Sequence, residues 1–377
     1  MRSMITLTEA TGKCSQLGEV IKVYGWEEQI VSCSRYGSGH INDTFLADCR
    51  RDGQGKRYIL QRINHEIFTD VKSLMDNVSG VTSYLRSVIE KEGGDPDRET
   101  LNLVPTQEGR LYYQDAQGCF WRAYKFIEGA TTYDRVEKPE DFYESAEAFG
   151  HFQNLLAEYP VEKLTETIPD FHNTPKRYQD FCRAVEEDKC GRASCVAREI
   201  NFVRERADRM GIVMDQLKNG KIPYRVTHND TKLNNIMIDD ATGKAICVID
   251  LDTIMPGASV FDYGDSIRFG ANTAAEDETD LEKVSLSIML FETYTKGFLK
   301  GCAGSLTDAE VELLPRGAWM MTLECGMRFL TDYLQGDTYF KIHRPDHNLD
   351  RCRCQFALVH DMEEKWDQMA QIVRSSR

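Results

Sequence analysis

The chain reads as an α+β protein of two lobes: a small β-rich N-lobe with one helix, and a larger, mainly helical C-lobe. Three observations predict this. Short alternating runs, separated by glycine turns, crowd the first 128 residues. One apolar helical stripe, Val71, Leu74, Val78, Val81, Leu85 and Val88, interrupts them. Past residue 128 the apolar spacing turns almost wholly helical.

The elements follow in order. Gln29 to Arg35 fits a strand, Tyr36-Gly37-Ser38-Gly39 a glycine turn, and Ile41 to Ala47 a second strand. Arg51-Asp52-Gly53-Gln54-Gly55 is a hairpin turn that leads into a third strand, Tyr58 to Ile63. After the helix, Arg110 to Tyr113 and Phe120 to Ile127 complete five strands. Glu128-Gly129-Ala130 breaks the pattern and is the expected hinge, so the lobes are residues 1–128 and 129–377. Helices are expected over Phe142 to Leu156, Ile200 to Lys218, Leu281 to Phe298, Ala318 to Leu334 and His360 to Val373. Amid them, Ile236 to Ile238 and Ala245 to Ile249 read as two strands around a turn at 239–244.

Bulk properties exclude several classes of protein. A net charge of −15 argues against nucleic acid or an anionic membrane as partner. No apolar run is long enough to span a bilayer, and the N-terminus shows no secretory pattern, so a cytoplasmic protein is expected. The twelve cysteines include no C-x-x-C pair. Cys352 and Cys354, with Cys325 and His360 as loose neighbours, make a poor zinc set, and reduced thiols are expected.

The chemistry concentrates in His228-Asn229-Asp230-Thr231-Lys232-Leu233-Asn234-Asn235, with Asp250 twenty residues beyond Asp230. Phosphoryl transfer needs a carboxylate at the attacking hydroxyl and oxygen ligands for the metal that bridges the nucleotide phosphates. Asp230 and Asn235 have the D-x-x-x-x-N spacing of such a loop. The hairpin would fold Asp250 back beside Asn235, making these two the metal ligands. The pattern resembles the catalytic loop of a protein-kinase-like fold, a resemblance that implies ATP and Mg²⁺. Gly37, Ser38 and Gly39 are the candidate phosphate cover. On the third strand, alternation places Ile59 and Gln61 on one face, and Leu60 and Arg62 on the other. If Ile59 covers adenine, the phosphate side receives Gln61 where a lysine is usual, and one register slip would make it Arg62. Asp76 is either the helix partner of that residue or a solvated acid. The backbone of Tyr124, Lys125, Phe126 and Ile127 is expected to bond adenine.

With these residues quoted, the chain resembles the aminoglycoside phosphotransferase and choline kinase superfamily, and within it a sugar kinase subgroup. The likeness is carried by Gly39-His40-Ile41-Asn42-Asp43-Thr44, Tyr124-Lys125-Phe126-Ile127-Glu128, the loop from Thr227 to Asn235, Ile249 to Gly257, Phe261 to Gly270 and Glu324 to Leu330. It implies phosphorylation of the anomeric hydroxyl of N-acetylglucosamine or N-acetylgalactosamine, with Asp230 orienting or accepting its proton. It also implies His40, Asp230, Phe269, Arg328 and Tyr339 as sugar contacts. Each has a plainer role available: His40 bracing the glycine turn, Phe269 in the core, Arg328 paired to Glu324 four residues earlier, Tyr339 packed on its lobe. Asp262 and Asp265 are expected to stabilise the loop, His228 to orient it, and the acids at 276–280 to open a solvated helix. The alternatives are a kinase of choline, homoserine or an aminoglycoside, and a nucleotide-binding pseudokinase.

Overall fold

The computed structural model describes residues 14–37, 41–51, 54–133 and 138–377. Ser38, Gly39 and His40, together with Asp52 and Gly53 of the expected hairpin turn, lie outside them. The chain divides into two compact units, residues 1–130 and 131–377.

The first unit holds helix α1 (Cys14–Val23), strands β1 (Ile30–Arg35), β2 (Asp43–Arg51) and β3 (Gln54–Ile63), helix α2 (Val71–Glu92) and a single turn α3 (Pro96–Glu99). Strands β4 (Tyr113–Gln114) and β5 (Phe120–Lys125) follow, and β6 (Ala130–Thr131) spans the boundary. Strands β1 to β5 form one antiparallel sheet in the order β1-β2-β3-β5-β4. Because side chains alternate across a strand, its two faces do different things. One face, with Phe45, Ala47, Cys49, Leu60, Trp121 and Ala123, is sealed by Leu17, Val20 and Ile21 of α1 and by Tyr24 and Trp26 just after it. Helix α1 has no counterpart in the sequence expectation, although its apolar positions recur at helical spacing. The opposite face carries Gln61 and, directly across from it, Arg122. Helix α2 starts at Asp70, whose carboxylate caps the Ser73 amide, and ends at Gly93 with φ of +80°.

The second unit is mainly helical. It runs through α4 (Pro139–Leu155), α5 (Thr174–Glu187), α6 (Ala197–Arg204), α7 (Ile212–Lys218), strands β7 (Arg225–Thr227), β8 (Ile236–Asp239), β9 (Ala245–Val248) and β10 (Met255–Gly257), and helix α8 (Ser259–Gly270). Helices α9 (Ile288–Cys302), α10 (Asp308–Glu312), α11 (Leu314–Gln335), α12 (His347–Glu364) and α13 (Trp366–Ser375) complete it. The expected helix over 200–218 is broken into α6 and α7. Arg206 turns back, so that Nη1 takes the Phe202 carbonyl while its amide bonds Val203, and the α-helical ladder stops. The expected helix at 281 begins only at Ile288, where Ser287 caps the Leu290 amide. No helix opens at 276–280: Glu276 pairs with Arg268, and Asp277 with His347. Among the described residues no helix is long and apolar enough to cross a membrane, and the eleven cysteines from Cys33 to Cys354 are free thiols.

Two glycines set the distance between α8 and α11. A Cβ on Gly264 would strike the Gly317 carbonyl, and one on Gly317 would stand 2.5 Å from the Val260 carbonyl. The helix backbones therefore touch. Gly264→Ala is expected to cost about 2–3 kcal/mol by forcing them apart. Urea unfolding measures this, and an unchanged midpoint would mean that the contact yields freely.

Candidate active site

The hairpin β8–β9 pairs Ile236 with Val248 and Met237 with Cys247. Its turn is held by Asp239, which accepts the amides of Ala241 and Thr242, and by Gly243 at φ +69°. One bond past the strands, Ile249 N–H to the Asn235 carbonyl (2.9 Å), returns the chain so that Asp250 follows directly beside Asn235. Asp250 lies just beyond β9 in the left-handed conformation, φ +58° and ψ 59°. Such a backbone is uncommon for a residue with a side chain and concentrates at functional positions.

The loop before the hairpin is held from below by α8. Asp262, buried, accepts the amides of His228 (2.9 Å) and Asn229 (2.8 Å), and Gln153 donates to the same carboxylate (2.7 Å). Burial outweighs these bonds and raises the Asp262 pKa above the ordinary carboxylate range. Asp265 accepts the Thr231 amide at 3.1 Å, and Ser266 donates to the Thr231 carbonyl. His228 has both ring nitrogens engaged. The Ile249 carbonyl can only accept, which puts the proton on Nε2 (2.8 Å) and leaves Nδ1 to receive the Asp230 amide (3.3 Å). His228 is thus committed to holding the loop.

Asp230 therefore stands on a rigid base, with its side chain about a quarter exposed (28%). Asn235 Nδ2 donates to the Asp230 carbonyl (2.8 Å) and, longer, to its carboxylate (3.3 Å). With its nitrogen so placed, Asn235 keeps Oδ1 for another ligand. Lys232 Nζ sits 2.6 Å from the Asp230 carboxylate. Burial disfavours the charge on Lys232, but Asp230 and Asp265 outweigh it, and its pKa lies above the ordinary value. Sequence reasoning passed over Lys232, although it lies inside the quoted motif two residues from Asp230. Among the described residues no group of three or more His, Cys, Asp or Glu is arranged to hold a metal. Asn235 and Asp250 are nonetheless hard oxygen donors, the class that suits magnesium completed by phosphate and water.

Of the residues expected to contact the sugar, Phe269 is 39% exposed at the end of α8 and Tyr339 is 68% exposed, so neither is a core residue. Arg328 does not pair with Glu324. Glu324 is buried and bound by His172 (2.9 Å) and Thr174 (2.5 Å) instead. The Arg328 guanidinium lies amid three rings, Phe171, Tyr339 and Phe340, at 5.6, 5.9 and 5.5 Å. Among the described residues no carboxylate or carbonyl accepts from it.

In the first unit, Gly37 has φ +77°, while Ser38, Gly39 and His40 fall outside the described residues. The strand register is unslipped: Ile59 faces Tyr124 and Gln61 faces Arg122. Arg62 is on the other face and pairs with Asp43. Because arginine only donates, Gln61 turns its Oε1 to Arg122 Nε and Nη2 (3.0 and 2.9 Å), and its Nε2 to Thr44. The cation beside Gln61 is thus on β5, hidden from sequence reasoning inside the apolar run Phe120 to Tyr124. Asp76 is solvent-exposed and pairs with Lys72. The amides of Lys125 and Phe126 bond the carbonyls of Asn102 and Arg57, so any bond from these two residues to adenine would come from their carbonyls. The Lys125 side chain pairs with Asp97.

A family described as the phosphotransferase enzyme family matches residues 32–284. Solved structures share the fold at low identity. The microcompartment-associated aminopropanol kinase is 15% identical at a TM-score of 0.60, over 94% of this chain and 98% of that one. Choline kinase from Cryptosporidium parvum Iowa II is 14% identical at 0.58, over 96% and 98%. The GDP complex of aminoglycoside 2'-phosphotransferase-IIIa is 11% identical at 0.57, over 97% and 100%.

Asp265 makes the loop sensitive to acid. Burial raises its pKa, but Arg268 and Lys232 outweigh burial and hold it below the ordinary 3.8. A carboxyl lowered in the fold adds stability above its unfolded value and loses it as pH falls through the folded one. Asp265→Asn should cost about 3 kcal/mol at neutral pH, by leaving Arg268 and Lys232 underpaired. It should also flatten the loss of stability below about pH 4. Urea melts across pH test this, and parallel curves for the two proteins would refute it.

Proposed function

The chain belongs to the phosphotransferase enzyme family, and from that premise we propose that it transfers the γ-phosphoryl group of ATP to the anomeric hydroxyl of an N-acetylhexosamine. The observation that carries the phosphotransfer reading is the Asn235 amide bonded to Asp230, with the Ile249–Asn235 bond returning the chain just before Asp250. Asp230 meets the acceptor hydroxyl and takes or orients its proton. An anomeric hydroxyl is more acidic than an ordinary alcohol, so positioning and charge neutralisation carry most of the barrier reduction. Asn235 Oδ1 and the Asp250 carboxylate would hold Mg²⁺. That ion, when bound, neutralises the phosphate oxygens as charge develops. Lys232, already at the Asp230 carboxylate, supplies a second positive charge where the phosphoryl group arrives.

The sugar assignment is supported by Arg328, whose guanidinium is committed to no protein acceptor among the described residues and is flanked by exposed Tyr339. A planar donor fork beside an aromatic surface suits an acetamide carbonyl next to the C–H face of a pyranose. Ile59 and the Ile127 amide are assigned to adenine. Arg122, through Gln61, carries the positive charge that a strand lysine brings in other kinases.

Asp230→Asn is expected to lower turnover at least about a hundredfold while nucleotide affinity stays within about twofold. Near-normal turnover in a folded variant would remove Asp230 from the reaction. Asp250→Ala should shift the Mg²⁺ dependence of the rate to higher concentration. An identical titration curve would take Asp250 out of the metal site. The acceptor is tested by ATP consumption with N-acetylglucosamine, N-acetylgalactosamine, galactose, choline, homoserine and kanamycin, with phosphorus–proton coupling locating the phosphate. Phosphate on C1 of an N-acetylhexosamine is the expected result. Turnover confined to another alcohol would overturn the sugar assignment and keep the phosphotransferase.

A further inference from the structure

A second arginine stands with Arg328. Arg177, on α5, donates from Nε and Nη2 to the Phe171 carbonyl (3.3 and 3.1 Å), and the Phe171 ring faces Arg328. Both guanidiniums are within electrostatic reach of Tyr339 and Glu324. The acids near them fall short of neutralising both. Glu324, hydrogen-bonded by His172 and Thr174, sets one carboxylate against two guanidiniums, and Asp180 is shared with Lys176 and Arg183. Nearer the catalytic loop the charges balance, with Asp265 and Glu276 on Arg268, and Asp230 on Lys232. An excess of positive over negative charge therefore remains around Arg177 and Arg328. Burial first, and then the like charge of Arg328, depress the Arg177 pKa below its ordinary value, as expected of two cations that share a site.

We propose that Arg177 and Arg328 act as a charge filter on the acceptor: the group that faces them must be uncharged or anionic, and an ammonium there is rejected. The proposal rests on the reading of Arg328 as an acceptor contact and adds Arg177 as a specificity residue. A carbonyl or sulfonyl oxygen accepts N–H from the fork, whereas an ammonium brings only donors and a repelled charge. N-acetylation of an amino sugar thus converts a repelled substituent into a recognised one. Choline and aminoglycosides carry the repelled charge throughout.

The test varies one substituent on one ring: glucosamine, N-acetylglucosamine and N-sulfoglucosamine, compared by kcat/KM. The wild type is expected to favour the acetyl and sulfo sugars over the amine by at least about tenfold, the scale of one partly screened like-charge contact. Arg177→Gln should narrow that gap by about the same factor, and Arg177→Lys, which keeps the charge, should preserve it. Thermal melts of both variants establish that they fold. Glucosamine used within about threefold of its N-acetyl form, a smaller gap than one charge contact produces, would overturn the filter. So would a gap that Arg177→Gln leaves intact. If no hexose is phosphorylated, the sugar reading fails by itself. The filter is then judged on choline against 3,3-dimethylbutanol, its uncharged isostere: preference for choline overturns it, and preference for the isostere supports it.

Discussion

Everything in the second unit that bears on chemistry hangs from one carboxylate. Asp262, in the first turn of α8, receives the amides of His228 and Asn229 and the side-chain amide of Gln153. Three donors on one buried acid fix the backbone just before Asp230, in a place where unpaired groups would be costly. Asn229 can then adopt its positive φ of 65°, with its side chain tied to the Thr227 and Thr253 carbonyls. Helix α8 can serve as an anchor because it lies against α11 with backbone touching backbone at Gly264 and Gly317. The geometry of the candidate catalytic loop is therefore a consequence of helix packing, transmitted through hydrogen bonds rather than through flexible side chains.

The first unit uses a different device. Its sheet is sealed on one face by apolar contact with α1, which frees the other face to carry polar groups. There Gln61 is locked between Arg122 and Thr44, so a neutral amide stands where charge is expected and the charge stands one strand over. A buried guanidinium needs acceptors, and the Gln61 carbonyl provides one that a lysine at the same position would not.

Much of this was legible beforehand. The strand order, the α2 stripe and the hairpin follow from alternation, helical spacing and a glycine-bearing turn, which are local signals. The contact of Asn235 with Asp230 and the return of Ile249 to Asn235 follow from the same source, a loop and a short hairpin. Long-range features were not legible. The break in the helix after Arg204 depends on Arg206 reaching Glu363, 157 residues away. Arg328 was expected to satisfy the i, i+4 rule with Glu324, but His172 and Thr174 reach that acid from about 150 positions upstream and occupy it. The solvated helix expected at 276–280 failed because Arg268 and His347 claim Glu276 and Asp277.

The amino-acid sequence by itself determined the loop and hairpin proposed for phosphotransfer, because both carry their geometry in local spacing. Tertiary structure alone decided which charges are spent and which remain available. An ion pair is settled by competition among all acids and bases that the fold brings within reach, and sequence separation carries no record of that competition. So Glu324 is hydrogen-bonded by residues of another segment, Arg328 is left among three aromatic rings, and Arg177 is turned to the Phe171 carbonyl.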